Sequence, residues 1–169
     1  MCKIIFLDID GVLNSAFWNE QHRKEISDGT LIDQEKTKLL AQLVEKTNAQ
    51  IILHSGWRFW FDCDGRPLRP EAEKLVRSLA DAGLEISGMT PDLTTEEIRR
   101  TKKFSRVKAD EILLWLKMHQ EVKGWVVLDD LALHKEAVTR HQVKPDHEIG
   151  LTAENIREAE RSIQAEIPR

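Results

Sequence analysis

The chain is 169 residues long, 41% hydrophobic and 32% charged, with a net charge of −4 at neutral pH. That length suits one domain, 1–169, with a real hydrophobic core, and the balance excludes a disordered, a fibrous and a generally basic nucleic-acid-binding protein. No apolar run approaches the ~20 residues that span a bilayer, no leader peptide is recognisable, and two cysteines, Cys2 and Cys63, are too few for a disulfide framework or a metal knuckle, so a reduced, cytoplasmic protein with no membrane role is expected.

Residues 3–7 (KIIFL) form a short apolar run that predicts a buried strand, followed by Asp8, Ile9, Asp10 and Gly11. Residues 14–30 read as a loop. A helix is expected over 33–47, capped by Asp33 and carrying Leu39, Leu40, Leu43 and Val44 on one stripe. Residues 50–54 (QIILH) predict a second buried strand and 59–69 a further loop. The segment 70–82 predicts a helix with Pro70 in its first turn and Gly83 ending it. A weaker strand is expected at 84–87 and a helix at 109–120 with Ile112, Leu113 and Leu116 facing inward. Residues 124–128 (GWVVL) are strongly apolar and predict a strand. Residues 131–140 look helical, and 146–149 suggest a short edge strand. Thr152 then caps a final amphipathic helix bearing Ile156, Ala159 and Ile163. Strands alternating with helices predict an α/β fold, a parallel sheet of about five strands flanked by helices.

Ligands of such sheets bind beyond the carboxyl ends of the strands, so the residues at those ends carry the functional signal. They are Asp8 and Asp10 after the first strand, His54, Ser55 and Gly56 after the second, and Asp129 and Asp130 after GWVVL. Asp8 and Asp10 share a parity, so alternation would project both to one side, where paired like charges call for a cation. Carboxylate oxygens suit Mg²⁺. A hydroxyl, Ser55, and an ammonium, Lys108, beside it suit a phosphate. In that chemistry Asp8 is placed to act as a nucleophile and Asp10 as a general acid and base. Lys103 and Arg106 rival Lys108 as the phosphate cation; Lys108 is preferred because it stands three residues before Glu111 at the expected helix start. His54 is read as structural, since no second histidine lies at metal-ligand spacing. Trp115 and Trp125 are expected in the core, and the cluster Trp57 to Phe61 as a satellite core or a substrate wall.

FLDIDGVLNS, ILHSGWR, a lysine before a helix and VVLDD resemble, in order, the four motifs of the haloacid dehalogenase (HAD) superfamily. With KADEILLWL and the late GLT (Gly150 to Thr152), they resemble the small HAD domains of Swiss-army-knife RNA-repair proteins. The resemblance implies a Rossmann-like HAD fold with strand order 5-4-1-2-3, little or no cap, and a Mg²⁺-dependent phosphatase site. Carried over, it makes Asp8 the nucleophile and a metal ligand, and Asp10 the acid/base with its backbone carbonyl on the metal. Ser55 becomes a donor to phosphate, Lys108 the cation that holds Asp8, and Asp129 and Asp130 the rest of the metal shell. Gly56 and Arg58 would lie beside the substrate.

Residues 98–108 (IRRTKKFSRVK) gather Arg99, Arg100, Lys102, Lys103 and Arg106 ahead of Lys108, in a chain that is otherwise acidic. Such a strip bordering the site favours a polyanion, and phosphorylated nucleic-acid ends are the expected substrate class. A small-molecule phosphatase and a catalytically silent HAD binding module are the alternatives. A phosphorylation receiver domain fits less well, because here the lysine precedes the final acid pair.

Overall fold

The computed structural model describes residues 2–27, 29 and 31–165. In chain order these form β1 (Cys2–Leu7), α1 (Ala16–Gln21), α2 (Arg23–Ser27), α3 (Gln34–Thr47), β2 (Gln50–Leu53), a 3₁₀ turn (Gly56–Trp60), α4 (Pro70–Asp81), β3 (Ile86–Met89), α5 (Glu96–Thr101), α6 (Phe104–Met118), β4 (Val122–Leu128), α7 (Glu136–Thr139), β5 (Gln142–Val143) and α8 (Ala153–Gln164).

The strands pair in parallel in one sheet of order β3-β2-β1-β4-β5, with β1 at the centre. This is the order that the HAD resemblance implies. Alternation along β1 divides the core. Ile5 and Leu7 pack with Leu40 and Leu43 of α3, Leu75 and Leu79 of α4, and Ile156, Ala159 and Ile163 of α8. Ile4 and Phe6 point the other way, onto Ile112 and Trp115 of α6, Trp125 of β4 and Val138 of α7. A sheet buried on both faces needs strands that are apolar at nearly every position, which explains why KIIFL, QIIL and GWVVL read as continuous runs.

The differences from expectation have local causes. Leu84 belongs to the end of α4: its N–H donates to the Leu79 carbonyl, that of Gly83 to Ala80, and Gly83 sits at φ 76°, so β3 starts only at Ile86. The helix expected over 131–140 is reduced to α7, because His134 lies in the left-handed region at φ 56°. The edge strand is Gln142–Val143. The segment expected there, 146–149, is a turn in which the Asp146 carboxylate accepts from the Glu148 N–H and its carbonyl from Ile149 and Gly150. The stretch 14–30 contains α1 and α2, while Asp28 and Thr30 of it lie outside the described residues. The stretch 59–69 begins in the 3₁₀ turn and closes on a bridge between Phe61 and Pro67. Finally, α6 starts at Phe104 and not at 109, so Lys108 lies one turn inside it. Among the described residues no helix is long and apolar enough to cross a membrane, and Cys2 and Cys63 are both free thiols.

Candidate active site

Register brings four residues into one row. Leu7 of β1 is level with Leu53 of β2 and with Leu128 of β4, so Asp8, His54 and Asp129 follow side by side. The backbone continues the ladder one step: Asp8 N–H donates to the Leu128 carbonyl at 2.9 Å, His54 to Leu7 at 2.7 Å, and Thr90 to Leu53 at 3.1 Å.

Asp8, Asp129 and Asp130 each offer a carboxylate oxygen within 4.8 Å of the others. Asp8 is 6% exposed and Asp129 fully buried. Lys108, also buried, donates from Nζ to Asp129 Oδ2 at 2.6 Å and stands 3.4 Å from Asp8 Oδ2. Burial pushes the Asp8 carboxyl well above the usual carboxylate range and the charge of Asp129 adds to it, opposed by Lys108. Burial and Asp129 likewise raise Asp130. Burial acts against the Lys108 ammonium, but Asp8 and Asp129 outweigh it and raise its pKa. Three carboxylates therefore face one ammonium, an excess of negative charge in which a hard, oxygen-seeking cation fits. Lys103 and Arg106 are exposed, while Lys108 alone of the three reaches Asp8.

Asp10 does not share this group. β1 ends at Leu7, the chain turns, and the Asp10 side chain leaves the Asp8 carboxylate to group with Asp129 and Asp130 instead. Asp10 Oδ1 accepts from Asn14 Nδ2 and Oδ2 from the Trp57 indole Nε1, both at 3.0 Å. Two fixed donors set the direction in which this carboxyl points. Asn14 Oδ1 in turn accepts the Gly11 N–H at 3.0 Å. Gly11 sits at φ 79°, and a Cβ there would collide with the Asp130 carboxylate, so the turn needs glycine for both reasons.

Ser55 caps the 3₁₀ turn, its Oγ accepting the Trp57 N–H at 3.2 Å, which leaves the hydroxyl proton to give. Gly56 begins that turn and has open space where a Cβ would stand. Arg58 is held from two sides: Nη1 donates to the Ser55 carbonyl at 2.9 Å and Nη2 pairs with Glu111 of α6. The Glu111 carboxylate also accepts the Leu93 N–H at 3.1 Å. Burial raises the Glu111 pKa against the pull of Arg58. Glu111, Asn14 and the hydrogen bond of Trp57 are additions to the expected site. The available sign of Glu111 was its place on the inward stripe of α6, with Lys108, Ile112 and Trp115.

His54 is wholly buried, its Nδ1 within 2.8 Å of Thr90 Oγ1 and its Nε2 without a partner. Burial, then Lys108 and Arg58, hold its pKa well below 6.5, so it stays neutral. The unfolded chain takes up this proton below about pH 6.5 and the fold does not, so stability is present above that pH and is lost as pH falls. In urea unfolding from pH 7 to pH 5, His54→Asn is expected to show a shallower decline than the wild type. Equal slopes would refute this.

The basic strip forms the corner between α5 and α6, with Lys102 at φ 56°. Arg99, Arg100, Lys102, Lys103 and Arg106 are all exposed there. Trp57 and Phe61 join the core, whereas Phe59 stays 52% exposed.

Residues 4–156 match the family model described as the HAD domain in Swiss Army Knife RNA repair proteins. No curated protein and no solved structure matches the chain.

Proposed function

The chain belongs to the HAD domains of Swiss Army Knife RNA repair proteins, and on that footing we propose that it is a Mg²⁺-dependent phosphatase of phosphorylated nucleic-acid ends. The observation that carries the reading is the buried Asp8 carboxylate, flanked by Asp129 and Asp130 and paired with Lys108.

In this reading an Asp8 oxygen attacks phosphorus, the bond to the leaving oxygen breaks, and Asp10 supplies the proton that the leaving alkoxide takes. Water then attacks the aspartyl-phosphate, Asp10 accepts its proton, and inorganic phosphate leaves with Asp8 restored. Asn14 and Trp57 aim Asp10 at both proton transfers. Lys108 offsets charge on the phosphoryl oxygens while holding Asp8, and the Ser55 hydroxyl donates to one of them. Asp8, Asp129 and Asp130 would hold Mg²⁺, with the Asp10 carbonyl as the family resemblance implies. When bound, the ion supplies further neutralisation of phosphate charge. Nucleic acid is favoured as substrate by the exposed cations of the α5–α6 corner, which would follow successive phosphates.

The test is phosphate release from a 5′-phosphorylated oligonucleotide, a 3′-phosphorylated one and a mononucleotide, with Mg²⁺ or with EDTA. Release from one oligonucleotide end is expected to exceed that from the mononucleotide, to vanish with EDTA, and to lose its advantage as salt rises from 50 to 200 mM. Release from the mononucleotide alone would transfer the reading to a small-molecule phosphatase. No release from any of them would defeat it.

A further inference from the structure

Next to Lys108 opens a cleft of about 460 Å³, within the ~300–1,000 Å³ of small-ligand sites. Lys108 and Gly56 line it, and Lys108 Nζ is 3.4 Å from Asp8 Oδ2, so one end adjoins the proposed nucleophile. Two aromatic rings that no core requires also line it: Phe59, 52% exposed, and Phe104, 40% exposed. The Arg58 guanidinium carbon lies 4.8 Å from the Phe59 ring centroid and covers one ring face.

Two of the polar side chains that line it, Arg58 and Glu111, are spent or sealed. Arg58 gives its terminal nitrogens to Ser55 and Glu111, and Glu111 also serves Leu93. The remaining Arg58 Nε and Glu111 Oε1 have no partner and no surface. The cleft thus offers exposed aromatic surface to a guest, with Thr94 and Arg99 as the remaining polar side chains beside Lys108. Flat, apolar-faced and attached to a phosphate is the description of a nucleobase. Arg99 lines the same cleft and Arg100, Lys102, Lys103 and Arg106 are exposed on the same corner, which suits a run of phosphates better than the single phosphate of a modified tyrosine.

We propose that this cleft stacks the base of an unpaired terminal nucleotide on Phe59 and Phe104, accepting any of the bases, while the terminal phosphate reaches Asp8. The inference rests on the phosphatase reading for the place of the phosphate, and does not depend on turnover.

Its test is therefore a binding measurement. Asp8→Asn protein is titrated with Mg²⁺ and single-stranded oligonucleotides, 5′- or 3′-phosphorylated, whose terminal base is the stacking-sensitive fluorophore 2-aminopurine. With one of the two ends, quenching is expected for the terminal label and not for an interior one. Phe59→Ala and Phe104→Ala should each weaken binding by about tenfold and abolish quenching, and Phe59→Trp should retain both. The four natural terminal bases should compete alike, and an abasic end about tenfold less well. Absence of binding, quenching untouched by both alanine variants, or equal competition by the abasic end or by a phosphotyrosine peptide would overturn the proposal. Intact quenching in a wild-type protein that releases no phosphate would instead refute the catalytic reading and leave this subsite standing.

Discussion

Replacing Asp8 with asparagine is expected to lower phosphate release by at least about a thousandfold, since the variant has no oxygen nucleophile to phosphorylate. The same change should leave the fold as stable as before or more stable, by roughly 0.5–2 kcal/mol without metal. Asp8 is buried among carboxylates, and burial with the charge of Asp129 already disfavours its ionised form. An amide of the same shape removes that repulsion, and Lys108 keeps its 2.6 Å contact to Asp129. A phosphate-release assay beside a urea titration reads both effects. Activity near wild type would sink the aspartyl-phosphate mechanism; a loss of stability above about 2 kcal/mol would mean that Asp8 is chiefly structural.

Glu111→Ala is expected to destabilise the protein by about 3–5 kcal/mol, because it strands the Arg58 guanidinium in the interior. The two side chains are 7% and 1% exposed. The Leu93 N–H would also lose its acceptor. For a domain held together by ~5–15 kcal/mol this is a large fraction, and the melting temperature should fall by on the order of 10 °C. Glu111→Gln keeps an acceptor for Arg58 and Leu93, so it should cost distinctly less. A melting shift for Glu111→Ala of only a degree or two, or equal shifts for the two variants, would show that the ion pair contributes little.

What could be read in the sequence was what depends on neighbours along the chain. Continuous apolar runs marked β1, β2 and β4, because both faces of the sheet are buried, and the residues just after them named Asp8, Ser55 and Asp129. Helix ends written in local chemistry, such as Asp33 before α3 and Thr152 before α8, were equally plain. Partners that meet only through the fold were not. Trp57 reaches Asp10 across 47 positions and Arg58 reaches Glu111 across 53. Composition around Trp57 suggested core or wall, and nothing nearby in the chain indicated that its indole would hold a carboxylate. The start of α6 was missed for the converse reason. Its first turn presents Phe104 and Arg106 to solvent, and the buried stripe that identifies a helix begins only at Val107.

That stripe fixes the rotation of α6, and with it the place of Lys108 beside Asp8. Each residue turns a helix by about 100°, so a single insertion between Lys108 and Ile112 would either swing the ammonium off Asp8 or turn Ile112 and Trp115 out of the core. Ahead of Phe104 the count is not kept: Lys102 and Lys103 are junction residues outside the regular helices. The α5–α6 corner can therefore change length and charge without moving Lys108 away from Asp8. In the proposed reading, variation in the bound polyanion can accumulate there, while the rest of α6 stays fixed in register.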